Sequence, residues 1–303
     1  MYGKSQHYLS DELVDSKSAG LLPSNFHSHC TFCDGRSHPE DFIKFAVYRH
    51  FRAYGFSSHS PLPFETFWNM SAGDMDEYIN EITRLKEKYN GQIEIYLGLE
   101  IDYLDETYNA SIPYFRTLPL DYRIGSVHFL STGQKPLSEE NMACIDGPFD
   151  EFALAVELFY QGNVRLITED FFHASTQMIE TGGFDIVGHL DKIYMNGCRH
   201  PGFDFHAAWY QKPLAAYMDF IAEKGLIVEI NTKNMTPKHQ TFPHIETLKA
   251  IYQRRIPVMV NSDCHLPDLV NDGREETLAL LRETGFKTTR ELVKGVWQDV
   301  AII

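Results

Sequence analysis

The sequence predicts a single-domain parallel α/β protein, and three observations carry that prediction. Short apolar runs alternate along the chain with segments whose apolar residues recur every three to four positions, the pattern of strands joined by crossover helices. About seven strand candidates occur, near the eight of a closed parallel barrel, although an open doubly wound sheet fits the same count. Most of these runs also finish in His, Asp or Glu. In a parallel barrel the C-terminal strand ends meet at one face, where active sites form.

Composition narrows the class. The chain has 303 residues, 43% hydrophobic and 13% aromatic, enough for a large core. Asp and Glu number 42 against 27 Lys and Arg, a formal charge of −15. That balance disfavours nucleic acid or anionic membrane as partners and suits a protein that collects cations. No apolar run approaches the ~20 residues of a membrane span, and the N-terminus lacks a signal-peptide h-region, so a cytoplasmic location is expected. The five cysteines (Cys30, Cys33, Cys144, Cys198, Cys264) are odd in number and scattered, which argues against a disulfide framework. Cys30 and Cys33 form a lone C-x-x-C, read as packing.

In chain order, residues 1–22 are polar and weakly periodic and are expected to lie outside a domain spanning 23–303. The run from Asn25 to His29 places His27 and His29 on one side of an extended strand, because side chains alternate. Asp34 follows after a short loop. Ser37, Pro39 and Glu40 open a helix that runs to near Gly55, and Phe56–His59 is a strand ending in histidine. A helix over 74–89 precedes the strand from Ile93 to Glu100. The strand from Tyr122 ends at His128, and 131–147 reads as a long loop. A helical region over 150–180, broken near Gly162, leads to a strand from Phe184 that ends at His189 and Asp191. A helix over 204–223, a strand from Leu226 to Asn231 and a helix over 241–252 follow. The strand from Pro257 ends in Asp263-Cys264-His265, a helix covers 275–284, and 289–298 allows one more.

His27, His29, Asp34, His59, Glu100, His128, His189, Asp263 and His265 are thus candidate metal ligands gathered at one barrel face. A catalytic zinc takes about three protein ligands and leaves a position open, so this set points to two or three ions. Imidazole-rich ligation favours zinc, iron or manganese over magnesium or calcium.

These pieces, His27-Ser28-His29 with Asp34, Ser58-His59, Gly98-Leu99-Glu100, Ser126-Val127-His128, Gly188-His189-Leu190-Asp191 and Asn261–His265, resemble the polymerase and histidinol phosphatase superfamily of metal-dependent phosphoesterases. They span residues 25 to 265 in that family's order. The chain looks most similar to its L-histidinol-phosphate phosphatases of histidine biosynthesis. The resemblance implies a distorted seven-stranded (β/α) TIM-like barrel. It also implies three metal sites: one held by His27, His29, Glu100 and Asp263, a second by Glu100, His128 and His189, and a third by Asp34, His59 and His265. The implied reaction is hydrolysis of a small phosphate ester by a hydroxide bridging two ions, since coordination acidifies water.

Arg199 and Arg165 are candidates for binding the phosphate, because a guanidinium fork matches its oxygens. Glu229 and Asn231 share a strand face and are candidates for the substrate's ammonium or imidazole. Asp191 is a candidate proton donor to the leaving group, or a partner orienting an imidazole. An amidohydrolase-type barrel also opens with H-x-H but would usually carry a bridging lysine where this chain has Glu100. A broad phosphomonoesterase or phosphodiesterase, and a regulatory barrel that binds metal without catalysis, are the remaining alternatives.

Overall fold

The computed structural model describes residues 23–302; the extension expected over 1–22 lies outside them. Seven parallel strands follow one another around the sheet in chain order: β1 (Ser24–Asn25), β2 (Ala53–Phe56), β3 (Glu94–Asp102), β4 (Tyr122–Ser126), β7 (Ile186–Val187), β8 (Ile227–Asn231) and β9 (Val258–Asn261). A hairpin of β5 (Phe129–Ser131) and β6 (Met142–Cys144) is inserted after β4. Parallel neighbours need crossovers. The longer ones are α1 (Pro39–Tyr48), α2 (Met75–Lys88), α4 (Phe149–Tyr160), α5 (Val164–Thr181) and α7 (Ala208–Lys224), with α3 (Pro113–Thr117), α6 (Tyr194–Gly197), α8 (Met235–Lys238) and α9 (Leu248–Gln253) short. After α10 (Arg274–Thr284) the chain ends in a hairpin, β10 (Thr288–Val293) and β11 (Val296–Ala301).

The sheet closes on itself, which decides for the barrel over the open sheet. One backbone bridge, Ser28 to Cys264, joins the chain beyond β1 to the chain beyond β9, with His29 N donating to Cys264 O at 2.9 Å. Side chains complete the seam. Asn261 Oδ1 accepts from Phe26 N (2.9 Å), and Asn25 Oδ1 accepts from Ser262 N (2.8 Å). The buried Arg274 guanidinium donates to the carbonyls of Ser24 (2.7 Å) and Val260 (2.8 Å). These three side chains satisfy four backbone atoms that a further strand would otherwise pair.

Inside the barrel, Phe26, Ala53, Tyr96, Tyr122, Ile124, Ile186, Ile227 and Met259 pack together, closed from below by Leu292 and Trp297 of the C-terminal hairpin. Tyr122 reaches across this layer to donate to the carbonyls of Phe26 (2.7 Å) and Phe56 (3.0 Å). Apolar side chains fill the lower barrel, so polar groups collect at the upper rim, where the strands end.

Local structure departs from the sequence reading in four places. The first helix stops at Tyr48, well before Gly55, which lies in β2. The stretch read as a loop over 131–147 carries part of the β5–β6 hairpin, whose strands are too short to show a period of two. The last segment forms β10–β11 rather than a helix. Lys294 (φ 50°) and Gly295 (φ 75°) make its tight turn, and Thr, Leu, Val and Trp flank it. The helix expected over 241–252 begins only after Phe242, whose backbone pairs with Asn231.

Candidate metal centre

All nine expected ligands converge at the rim formed by the strand ends. Beyond β1 the chain stays extended, and His27 and His29 both point into the barrel mouth with no exposed surface. Asp34 returns to them because the chain doubles back at Gly35. A Cβ there would stand 2.2 Å from Cys30 N and 2.3 Å from His29 O, so only glycine lets the loop close this tightly. His59 follows β2 and bridges to Glu100 within β3. His189 and Asp263 sit just past their strands with φ of 22° and 48°. Non-glycine residues in this region cost about 1–3 kcal/mol each and tend to mark functional positions.

Glu100 is the centre. Its Oε2 lies 3.0 Å from His59 Nδ1, 3.2 Å from His27 Nε2 and 3.6 Å from His29 Nε2. Its Oε1 lies 2.8 Å from His189 Nε2 and 3.5 Å from His128 Nε2, whose own separation is 3.2 Å. Asp263 Oδ1 is 3.2 Å from His29 Nε2, and His265 Nε2 is 3.1 Å from Asp34 Oδ2. Donor atoms sharing a tetrahedral ion with ~2.0–2.1 Å bonds stand roughly 3.3 Å apart, which matches these spacings.

The donor set fits metal ions by a second test. His27 Nε2, His29 Nε2, Asp34 Oδ1, His59 Nδ1 and Glu100 Oε2 are buried with no hydrogen-bond partner. Orphaned polar atoms cost about 1–3 kcal/mol each, and five facing one another make a donor set that a cation would satisfy. Three overlapping groups have donors close enough to share an ion: His29, Asp34, His59 and His265; His27, His29 and Glu100; and His59, Glu100 and His128.

The opposite nitrogens of two rings are held by carboxylates. His27 Nδ1 donates to Glu229 Oε1 (2.6 Å) and His128 Nδ1 to Asp102 Oδ1 (2.9 Å), which fixes each ring with Nε2 toward the centre. Burial alone would lower both imidazoles. At His27 the carboxylates of Glu229, Glu100 and Asp263 outweigh it and raise the group well above its usual range. At His29 burial acts together with the nearby His59 and His265 rings and holds the imidazole well below it. Burial opposes ionisation of Glu100, yet His27, His59 and His128 keep its carboxyl well below the ordinary range.

A cavity of about 320 Å³ opens over these ligands. Asp34, His59, Glu100, His128, Asp263 and His265 form its floor, and Trp68, Phe129 and Phe242 are among its walls. Trp68 stacks against Phe129 and meets His59 edge-on, with ring centres 5.7 and 4.5 Å apart. The cations lining it are Lys192, 3.0 Å from Asp146 Oδ1, and Lys233, 3.2 Å from Asp263 Oδ1.

The other expected residues lie elsewhere. Arg165 pairs with Glu169 on the exposed side of α5, and the Arg199 guanidinium covers the Phe149 ring; neither lines the cavity. Glu229 and Asn231, read from sequence as substrate contacts, are fully buried beneath the floor. Glu229 accepts from His27, Asn261, His189 N and Asn231, and Asn231 Nδ2 also donates to Asp263 Oδ2. The strand face pointed them inward correctly, but one layer too deep for substrate. Asp191 is buried too, accepts from His244 N, and does not line the cavity. Burial pushes its carboxyl up to about 7. Sequence reasoning passed over Asp102, Asp146, Lys192 and Lys233. Asp102 was findable, because it stands two residues beyond Glu100 on the same strand face.

Comparison with known proteins agrees with this architecture. The family model described as the PHP domain matches residues 25–233. A Deinococcus radiodurans protein named "Probable histidinol-phosphatase" is 26% identical over 275 residues, covering 89% of this chain and 95% of that protein. The Histidinol-phosphatase of Bacillus subtilis (strain 168) is 26% identical over 258 residues, covering 79% and 92%. Among solved structures, the histidinol phosphate phosphatase of Lactococcus lactis, complexed with zinc, L-histidinol and phosphate, superposes with a TM-score of 0.68 at 19% identity. It covers 91% of this chain and 98% of its own. With the family model matched from the first strand into the loop after β8, the chain belongs to the PHP domain family.

Proposed function

We propose that this protein is a metal-dependent phosphatase of histidine biosynthesis that hydrolyses L-histidinol phosphate to L-histidinol and phosphate. The observation that carries the reading is the set of five unpartnered buried ligand atoms under a cavity sized for a small ester. Relatives of matching length bearing the histidinol-phosphatase name support the choice of substrate. His27, His29, Glu100 and Asp263 would hold one ion, Glu100 with His128 and His189 a second, and Asp34, His59 and His265 a third. His29 and His59 stand close enough to a neighbouring group to be shared. Bound there, such ions supply Lewis-acid charge to the phosphoryl oxygens and acidify water to a nucleophile at neutral pH.

The chain's own residues do the rest. Glu229 and Asp102 keep the His27 and His128 rings oriented, so that no reorganisation is needed when charge develops. Trp68 and Phe129 screen the floor from bulk water, which strengthens every charge interaction there. The reading is tested by metal analysis together with a comparison of esters. We expect more than one transition ion per chain and a kcat/KM for L-histidinol phosphate at least tenfold above that for p-nitrophenyl phosphate. Equal kcat/KM for the two esters would favour a broad phosphomonoesterase, and one ion or fewer would reject the multinuclear site.

A further inference from the structure

Lys233 is the one cavity lysine that is not buried against its partner. Lys192, the other, is almost wholly buried against Asp146 and lies over the Phe242 ring. Lys233 stands two residues beyond the end of β8, and its backbone N–H donates to Asn231 Oδ1 (3.0 Å). Asn231 is itself locked by Glu229 and Asp263, so the root of the lysine is as fixed as the ligands. The side chain is 40% exposed and lines both the main cavity and the adjoining hollow at its mouth, where Asp34, Phe67, Asp263 and His265 also line both.

Its ammonium lies 3.2 Å from Asp263 Oδ1, and that same oxygen stands 3.2 Å from His29 Nε2 and 3.8 Å from His27 Nε2. A cation held by these two rings and Asp263 would therefore sit beside a second cation, the lysine. Two like charges so close repel in a shielded pocket, and an anionic oxygen placed between them converts that repulsion into two attractions. The other Asp263 oxygen is taken by Asn231, so the carboxylate cannot turn to serve both cations equally.

We propose that Lys233 binds the phosphoryl group of the substrate, donating to one of its anionic non-bridging oxygens from beside the metal floor. It takes the place that the sequence reading offered to Arg199 and Arg165. A lysine suits this position as a flexible point charge, able to leave Asp263 for a ligand oxygen. The inference rests on the phosphatase reading for the nature of the ester but not for the identity of its alcohol.

The test uses metal-loaded protein with inorganic phosphate as the probe, read by titration calorimetry, with metal content measured on the same samples. K233M should bind phosphate at least tenfold more weakly at unchanged metal content, and K233R should stay within about threefold of the wild type. In turnover, K233M should raise KM for phosphate esters more than it lowers kcat. Phosphate affinity within twofold of wild type in K233M would overturn the assignment. So would loss of metal in K233M with normal metal in K233R, because the lysine would then serve Asp263 alone. If phosphate binding weakens as expected while L-histidinol phosphate is not hydrolysed, the substrate reading fails and Lys233 keeps its role.

Discussion

Glu229→Gln separates two roles for one carboxylate. In the structure both oxygens are saturated with donors: Oε1 by His27 Nδ1 (2.6 Å) and Asn261 Nδ2 (3.0 Å), Oε2 by His189 N (3.1 Å) and Asn231 Nδ2 (3.0 Å). An amide must place its NH₂ against one of these pairs, so two accepting contacts become donor facing donor. If the NH₂ faces His27, the ring can recover a hydrogen bond only by moving its proton to Nε2, the atom aimed at the metal centre. Hydrogen bonds to a charged group are worth ~1.5–3 kcal/mol each, and loss of a partner behind a ligand typically costs ~10–100-fold in metal affinity. We therefore expect E229Q to bind zinc at least tenfold more weakly in competition with a chelator of known affinity. At saturating zinc its preference for L-histidinol phosphate over p-nitrophenyl phosphate should remain. Wild-type zinc affinity together with a collapsed preference would refute the argument and return Glu229 to the substrate.

Two further outcomes follow from the same geometry. Glu100→Ala removes the carboxylate whose two oxygens face five imidazoles, and should lower the number of bound ions and abolish turnover, whereas Cys30→Ser, outside the ligand set, should leave most activity; the reverse pattern would mean the centre is misassigned. In chelator-stripped protein, burial lowers His128 but Asp102 and Glu100 carry it up to about 9. A folded-state value raised above the unfolded one gives stability that is complete below ~6.5 and lost as pH rises through 9. The Tm of stripped protein should fall across that window, and His128→Gln should flatten the fall; a wild-type Tm independent of pH there would contradict it.

Much of the centre was legible because ligands must lie at strand ends, and apolar runs mark strand ends well. Strand parity alone would put Asp263 and His265 on one face, but β9 stops at Asn261 and Asp263 has a positive φ, so a turn rather than the pleat aims them. His189 likewise follows a strand of two residues. For Arg199, the match of a guanidinium to phosphate said nothing of direction, and the side chain settles over Phe149 instead. Lys233 escaped notice because a lysine after a strand resembles any solvated loop charge. The β5–β6 hairpin was illegible for a different reason: three-residue strands carry no periodicity, and only the pairing of Phe129 with Cys144 reveals them.

The seam between the first and last strands has a consequence for how the molecule holds together. The two banks there are fastened mostly by asparagine and arginine side chains, with one backbone bridge at Ser28 and Cys264. The ligands are drawn from both banks, His27 and His29 from one and Asp263 and His265 from the other. An ion gripping His27, His29 and Asp263 would act as a clasp across a slit in the cylinder wall, so binding free energy and ring-closure free energy become one quantity. Loading the centre and finishing the fold would then be the same event, visible as slowed hydrogen exchange at the amides of Phe26 and Ser262.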